Sequence, residues 1–312
     1  MTKRRYIINF VIVIVLAVVS GYFIGSFIAG GKLLALSNTY NELVLRKIVD
    51  EENKAEEEIP NYFSELPSSY FTSISTLAQG KTPDKLTAIE AYMVAEYITN
   101  TQPTIYKKID GVIKAKSMGV SIAQSLISNK TKKDGKITIE KISYSSMAKV
   151  AFKIEHTLDN DKYFVTEGTA TSGTTADWKT PTEKNIADYR TTFGNGIDYF
   201  TNYLVSPKTV ANNQYSKVVK SGDNYTFSLA LDISINEQTG AFVYGGVSNY
   251  MYEIKDTAGA EDFPVFNYCN LKVTIDSNYR FVKLEIEEQY DIVAFGFRAN
   301  TTGIMTETFT YE

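Results

Sequence analysis

The 312-residue chain is poor in the side chains that redox and metal chemistry need, with one Cys, one His and one Trp. A lone Cys269 excludes an intrachain disulfide framework and any site built from several thiolates. A lone His156 excludes HExxH, multi-histidine zinc sites and di-histidine iron sites. Positive charge is also in short supply, with 32 Lys and Arg against 36 Asp and Glu. Lys3, Arg4 and Arg5 all precede the first acid, Glu42; without them 29 basic groups face 36 acidic ones, a net of −7. Such a body argues against nucleic acid as a partner, because phosphate binding needs a concentrated cationic face. Gly194-Asn195-Gly196 lacks the third glycine and the downstream acid of a dinucleotide loop. Asp159-Asn160-Asp161 lacks the glycine and final glutamate of a calcium loop and reads as a turn. No cofactor and no metal site are expected.

What the chain does have is a long apolar run. From Tyr6 to Gly31 no residue is charged. About 20 such residues suffice to cross a bilayer, whereas a cleavable signal peptide has an apolar region of about 7–15. The run reads as an uncleaved signal anchor, with cleavage near Ser20-Gly21 as the alternative. Lys3, Arg4 and Arg5 stay cytoplasmic by the positive-inside rule, so residues 32–312 are expected outside the cell. The division is then residues 1–5 as a cytoplasmic tail, 6–30 as the span, 31–60 as a helical acidic stalk and 61–312 as the extracytoplasmic domain. A content of 26 Lys against 6 Arg fits AT-rich codon usage, as in a Gram-positive bacterium of low genomic GC.

Thr82-Pro83 predicts a helix start, and Leu86, Ile89, Met93, Tyr97 and Ile98 then make an apolar face. From Ile105 the period changes to two, the mark of strands. Strands are expected at 105–116, 120–130, after the Asp134-Gly135 hairpin signal, at 150–158 and in the segment KYFVTEG. A second group begins at Tyr225, continues through Leu271, Val273 and Ile275, returns from Phe281 to Ile292 and ends in IMTETFTYE. Helices are expected at 183–204 and 241–256, and an exposed, mobile loop from Gly168 to Thr175. Trp178 is expected as an anchor on the sheet's rim. Short links imply antiparallel pairing in one α+β domain.

Two polar residues break their local pattern. By parity His156 shares the face of Phe152 and Ile154, and Glu288 shares that of Ile286, Tyr290 and Ile292. A buried carboxylate is costly without a partner. His156, Glu288, Tyr290, Phe152 and Ile286 are therefore the candidate ligand-binding residues, with His156 and Glu288 as polar points that orient a head group. Catalytic candidates are weak. Ser146-Met147-Ala148-Lys149 matches SxxK, but residues three apart on a strand point to opposite faces. An enzyme would have to rely on carboxylates such as Glu285, Glu287 or Asp262.

Two stretches, KKDGKITIEKISYSSMAKVAFKIEHTLDNDKYFV and FPVFNYCNLKVTIDSNYRFVKLEIEEQYDI, resemble the early meander and late hairpin of the bacterial lipoprotein carriers LolA and LppX, to which RseB is similar in fold. The likeness covers about residues 104–312 and lies in element order. It implies a curved antiparallel β-sheet, a half-barrel, with helices packed on one face over an apolar cavity. That fold has no short catalytic signature, so no functional residue is carried over. A transmembrane helix replaces the carriers' lipidated cysteine or free periplasmic form, and a tethered chain cannot ferry lipid across an aqueous gap. The expected function is non-catalytic binding of an apolar or amphipathic envelope ligand. The alternative is an interaction or sensor module with a self-filled core and an envelope protein as partner, which an exposed apolar patch outside the cavity would favour.

Overall fold

The computed structural model describes residues 68–145, 149–193, 196–203, 205–206, 209–233, 262–294 and 297–312, with a few side chains inside these ranges excepted. The expected span at 6–30, the stalk at 31–60, the expected helix at 241–256 and residues Ser146, Met147 and Ala148 lie outside the described residues. Among the described residues no helix is long and apolar enough to cross a membrane.

The elements run α1 (Ser68–Leu77), α2 (Ala88–Thr101), β1 (Ile105–Ser117), β2 (Val120–Lys133), β3 (Lys136–Tyr144), β4 (Lys149–Thr157) and β5 (Lys162–Ala170). Two short strands, β6 (Ala176–Trp178) and β7 (Thr182–Asn185), lead into α3 (Ile186–Phe193). The second group is β8 (Val210–Tyr215), β9 (Val219–Ser221), β10 (Asn224–Leu231), β11 (Val265–Ile275), β12 (Phe281–Ala294) and β13 (Phe297–Tyr311). Met118 and Gly119 between β1 and β2, and Asp134 and Gly135 between β2 and β3, all have positive φ. Two such residues in succession make the turn whose twist suits a tight hairpin.

All pairings are antiparallel, in the order β6-β5-β4-β3-β2-β1-β13-β12-β11-β10-β8, with β7 beside β5 and β9 beside β10. The last strand thus inserts between the two meanders, paired with β1 from Ile105↔Tyr311 to Lys116↔Asn300. One hydrophobic cluster joins α1 and α2 to residues of β2, β1, β13, β12, β11, β10 and β8. Seven adjacent strands about 4.8 Å apart would span roughly 30 Å if flat, about three helix diameters. They share one cluster with α1 and α2 because the sheet curves around that core, as a half-barrel does. A smaller cluster of Ile137, Ile139, Ile154, Tyr163, Tyr189 and Ile197 lies under α3.

Helix α2 differs from its expectation in two ways. It starts six residues after Thr82: Pro83–Lys85 is an isolated 3-10 turn, and Leu86 is extended. The operative start is Thr87, which accepts from the Glu90 amide while the Glu90 carboxylate accepts from the Thr87 amide at 2.7 Å. This reciprocal box satisfies two amides that the first turn leaves unpaired. Nor is α2 amphipathic, for every residue from Ala88 to Glu96 is buried.

The expected helix at 183–204 is reduced to α3, preceded by β7 and followed by an irregular segment from 196 to 203. Gly194 and Gly196 follow that stop in the sequence, and a glycine costs about 1 kcal/mol in a helix interior. The expected loop at 168–175 is shorter than predicted, because Gly168, Thr169 and Ala170 belong to β5. Its remaining residues are tied together by Ser172 and Thr175 hydroxyls. Trp178 does anchor the sheet edge, where it pairs with Gly168 and lies under the Lys153 ammonium at 4.3 Å.

Candidate functional site

The five residues singled out by parity all turn inward, yet they do not meet. His156 and Phe152 lie on β4, whereas Ile286, Glu288 and Tyr290 lie on β12. Four strands, β3, β2, β1 and β13, separate them. His156 is buried beside Tyr163, its register partner, and its Nδ1 is 3.1 Å from the Lys162 carbonyl oxygen. Glu288 is 1% exposed and accepts from the Tyr203 hydroxyl at 3.2 Å. Cys269 stands opposite it in register, and burial, reinforced by Glu288, pushes its thiol well above the usual value. Ile286 is fully buried, and Tyr290 packs on Phe266 with ring centroids 5.1 Å apart. The β12 group is thus satisfied by the protein's own side chains.

The carboxylates named for catalysis have different surroundings. Burial alone would raise the carboxyl of Glu285, but Lys272 and Lys283, at 2.8 and 2.7 Å, outweigh it and hold the group below the usual carboxylate value. Glu287 accepts from the Tyr268 hydroxyl at 3.3 Å, and Asp262 is exposed.

The inner face is organised by residues that the sequence reading passed over. Residues 199–203 lie across α2 and the sheet without regular structure, held by side chains reaching their backbone. The Phe200 amide donates to Asn100 Oδ1 at 2.8 Å, and the Tyr92 hydroxyl donates to the Tyr203 carbonyl at 3.5 Å. Thr201 donates its hydroxyl to the buried Glu96 carboxyl on α2. Burial pushes that carboxyl up to about 8 against the pull of the Thr201 bond. Lys107 on β1 donates to the Phe200 carbonyl at 2.8 Å, and Lys130 on β2 donates to that of Tyr199.

Lys107, Lys130 and Lys141 stand on three consecutive strands, each at least nine-tenths buried. Lys107 faces Lys130 in register, while Lys141 pairs with Ser128 on one side and Phe152 on the other. Lys107 is matched by Glu307 on β13, both carboxylate oxygens lying at 3.2 Å. Removing one partner of such a buried pair costs about 3–5 kcal/mol, because it strands the other charge. Lys130 also lies 4.9 Å from the Phe200 ring centre, and Lys141 lies 5.5 Å from that of Phe152. The three lysines, with Ser128, Tyr189, Tyr199 and Asn202, line a pocket of about 50 Å³ over a floor of Ile109, Ile139 and Ile154. The signal that finds them is the one that found His156 and Glu288, since each shares parity with inward isoleucines or a leucine.

A second space lies on the outer face. Val112 and Ile304, 44% and 42% exposed, are register partners across β1 and β13. With Gly111, Lys114 and Thr302 they line an open groove of about 530 Å³. Among the described residues no cluster of His, Cys, Asp and Glu could hold a metal ion.

No protein-family model matches the sequence. No curated protein matches it either. Among solved structures the chain is similar to a domain assigned as an outer membrane lipoprotein-sorting protein from Vibrio parahaemolyticus, at 11% identity and a TM-score of 0.24, covering 66% of this chain and 85% of that one. It is also similar to a DUF1329 family protein from Desulfovibrio piger, at 10% identity and a TM-score of 0.24, covering 71% and 92%. The attachment invasion locus protein Ail of Yersinia pestis follows at 9% identity and a TM-score of 0.19, covering 67% and 100%. The lipoprotein-carrier resemblance seen in the sequence thus recurs among solved structures, at low identity and low TM-score.

Proposed function

We propose that residues 61–312 form a non-catalytic interaction module of the cell envelope, held outside a membrane by the 6–30 span, with a core filled by its own side chains. One observation carries this reading. Of two pockets lined by described residues, the open groove of about 530 Å³ is on the outer face and the one on the inner face holds about 50 Å³, which supports a self-filled core. Sites for drug-sized or larger ligands run to about 300–1,000 Å³, against which this inner pocket is small. The concavity is instead occupied by α2, whose buried run from Ala88 to Glu96 has no solvent face. The exposed Val112–Ile304 pair gives a partner protein an apolar point of contact on that outer face. The second reading is an amphipathic ligand on the inner face, where Lys107, Lys130 and Lys141 line a pocket beside Ile109, Ile139 and Ile154.

Native mass spectrometry of the full chain in detergent, with organic extraction of the purified protein, separates the two. The expected result is the mass of the bare polypeptide, together with protein adducts from a photo-crosslinker placed at Ile304. A stoichiometric lipid or isoprenoid in the extract overturns the self-filled reading in favour of a carrier.

A further inference from the structure

We propose that the hairpin tip between β1 and β2 docks onto an anionic lipid surface. Met118 and Val120 would enter the head-group boundary while Lys114 and Lys116 meet the phosphates. This goes beyond the reading of the domain as an interaction module, which the Ile304 crosslink tests by itself. Met118 is 79% exposed and Val120 55%, the two highest values among large apolar side chains of the described residues. Met118 and Gly119 form the turn beyond the last register pair, Ser117↔Val120. A left-handed backbone at the first turn position suits Asn, Asp or Gly, and the turn after β2 does use Asp134-Gly135, with φ of 51° and 70°. The β1–β2 turn repeats those positive angles, 50° and 79°, but puts methionine where the polar residue stands. So exposed, its side chain adds little to the protein's own core.

The surroundings of this tip are basic in a chain that is acidic overall. No acid occurs from Gly111 to Lys133. Lys114 and Lys116 are both exposed on the outer face. Their register partners are uncharged: Thr302 and Ala123 for the first, Asn300 and Ser121 for the second. Asp110, farther back on β1, pairs with Lys108 at 3.1 Å, and Asp291 on β12 pairs with Arg298 at 2.5 Å. A rise of about 3.3 Å per residue sets Lys116 about 7 Å and Lys114 about 13 Å behind Met118. The head-group layer is about 5–8 Å deep on each side of a bilayer. Lys116 therefore reaches phosphate level when Met118 touches hydrocarbon, and Lys114 stays within a Debye length of the surface. Apolar insertion and attraction to anionic lipid add together at such a boundary. A folded protein would need a socket for Met118, whereas a fluid lipid boundary needs none.

The test reconstitutes the full chain in phosphatidylcholine vesicles, with and without phosphatidylglycerol as one lipid in three. Ser121→Cys, beside the tip, carries an environment-sensitive fluorophore, and buried Cys269 escapes labelling in the folded protein. In the acidic vesicles its emission should move to shorter wavelength, and nitroxide-bearing lipids should quench it. Met118→Asn, which supplies the favoured Asn-Gly turn and so keeps the hairpin, should remove most of that shift. Lys116→Gln should cut the docked population about fivefold, the share of one lysine near an anionic surface. Circular dichroism checks the fold of each variant. A label on Lys136→Cys, beside the turn at the opposite end of β2, should not respond. No shift in acidic vesicles, an equal shift without phosphatidylglycerol, or an equal response at Lys136→Cys overturns the proposal. A tip that stays in water on both vesicles, yet forms protein adducts in cells from a photo-crosslinker at position 118, belongs to a protein partner and overturns it too. None of these outcomes bears on the Ile304 crosslink or the extracted mass, so the two readings fail separately.

Discussion

Glu96 sits on a buried turn of α2 with the Thr201 hydroxyl as its hydrogen-bond donor, and burial lifts its carboxyl from 4.5 to about 8. Between those values the unfolded chain ionises this group while the folded protein keeps it neutral. The stability it contributes is therefore complete below about 4.5 and is lost as the pH climbs through about 8. The slope is about 1.4 kcal/mol per pH unit at most for one group. Glu96→Gln, which keeps an acceptor for Thr201 but cannot ionise, should flatten that slope. Denaturant midpoints of both proteins across this window check it; parallel curves would mean that Glu96 is ionised in the folded state. At this scale the sequence was half legible. Parity put His156 and Glu288 on the inner face, and both are buried. It could equally have flagged Lys107, Lys130 and Lys141. What parity cannot reveal is who answers whom: Tyr203 reaches Glu288 from 85 residues away, and Lys107 finds Glu307 across 200.

Strands were the most legible elements, because alternation and turn chemistry are local. The paired positive-φ residues at Met118-Gly119 and Asp134-Gly135 close hairpins where the sequence had placed its turns. The short strands β6, β7, β8 and β9 went unread, since three to six residues carry too little periodicity to register. Helix α2 was misjudged because its apolar stripe is only part of an all-round burial that depends on the sheet wrapping it. The edge at β5 and β6 offers a sharp test. A Cβ added at Gly168 would lie 2.8 Å from a Trp178 ring carbon and 2.9 Å from the Asp177 carbonyl oxygen. Gly168→Ala should therefore lift the ring off the strand and cost about 1–3 kcal/mol, the usual range for overpacking. With a single Trp in the chain, its fluorescence reports this edge alone. The emission should move to longer wavelength in the variant, and an unchanged spectrum would count against the close seat.

The whole molecule hangs on β13, which joins one meander to the other by pairing with β1 and β12 at once. A chain ending at residue 296 should leave two half-sheets with exposed edges and lose cooperative unfolding altogether. Retention of a single sharp transition in circular dichroism would show that the halves associate without it. The amino-acid sequence by itself determined the long strands, their hairpin turns, their inward and outward faces, and an apolar run at 6–30 long enough to span a bilayer. Each of these is set by neighbours within a few residues, through backbone period, turn preference and hydropathy. Only the tertiary structure decided that α2 is buried from Ala88 to Glu96, that β4 and β12 stand too far apart to share a site, and that three lysines gather at one pocket. Those outcomes depend on strand order, register and curvature, and these emerge only when segments distant in the chain compete to bury the same apolar surface.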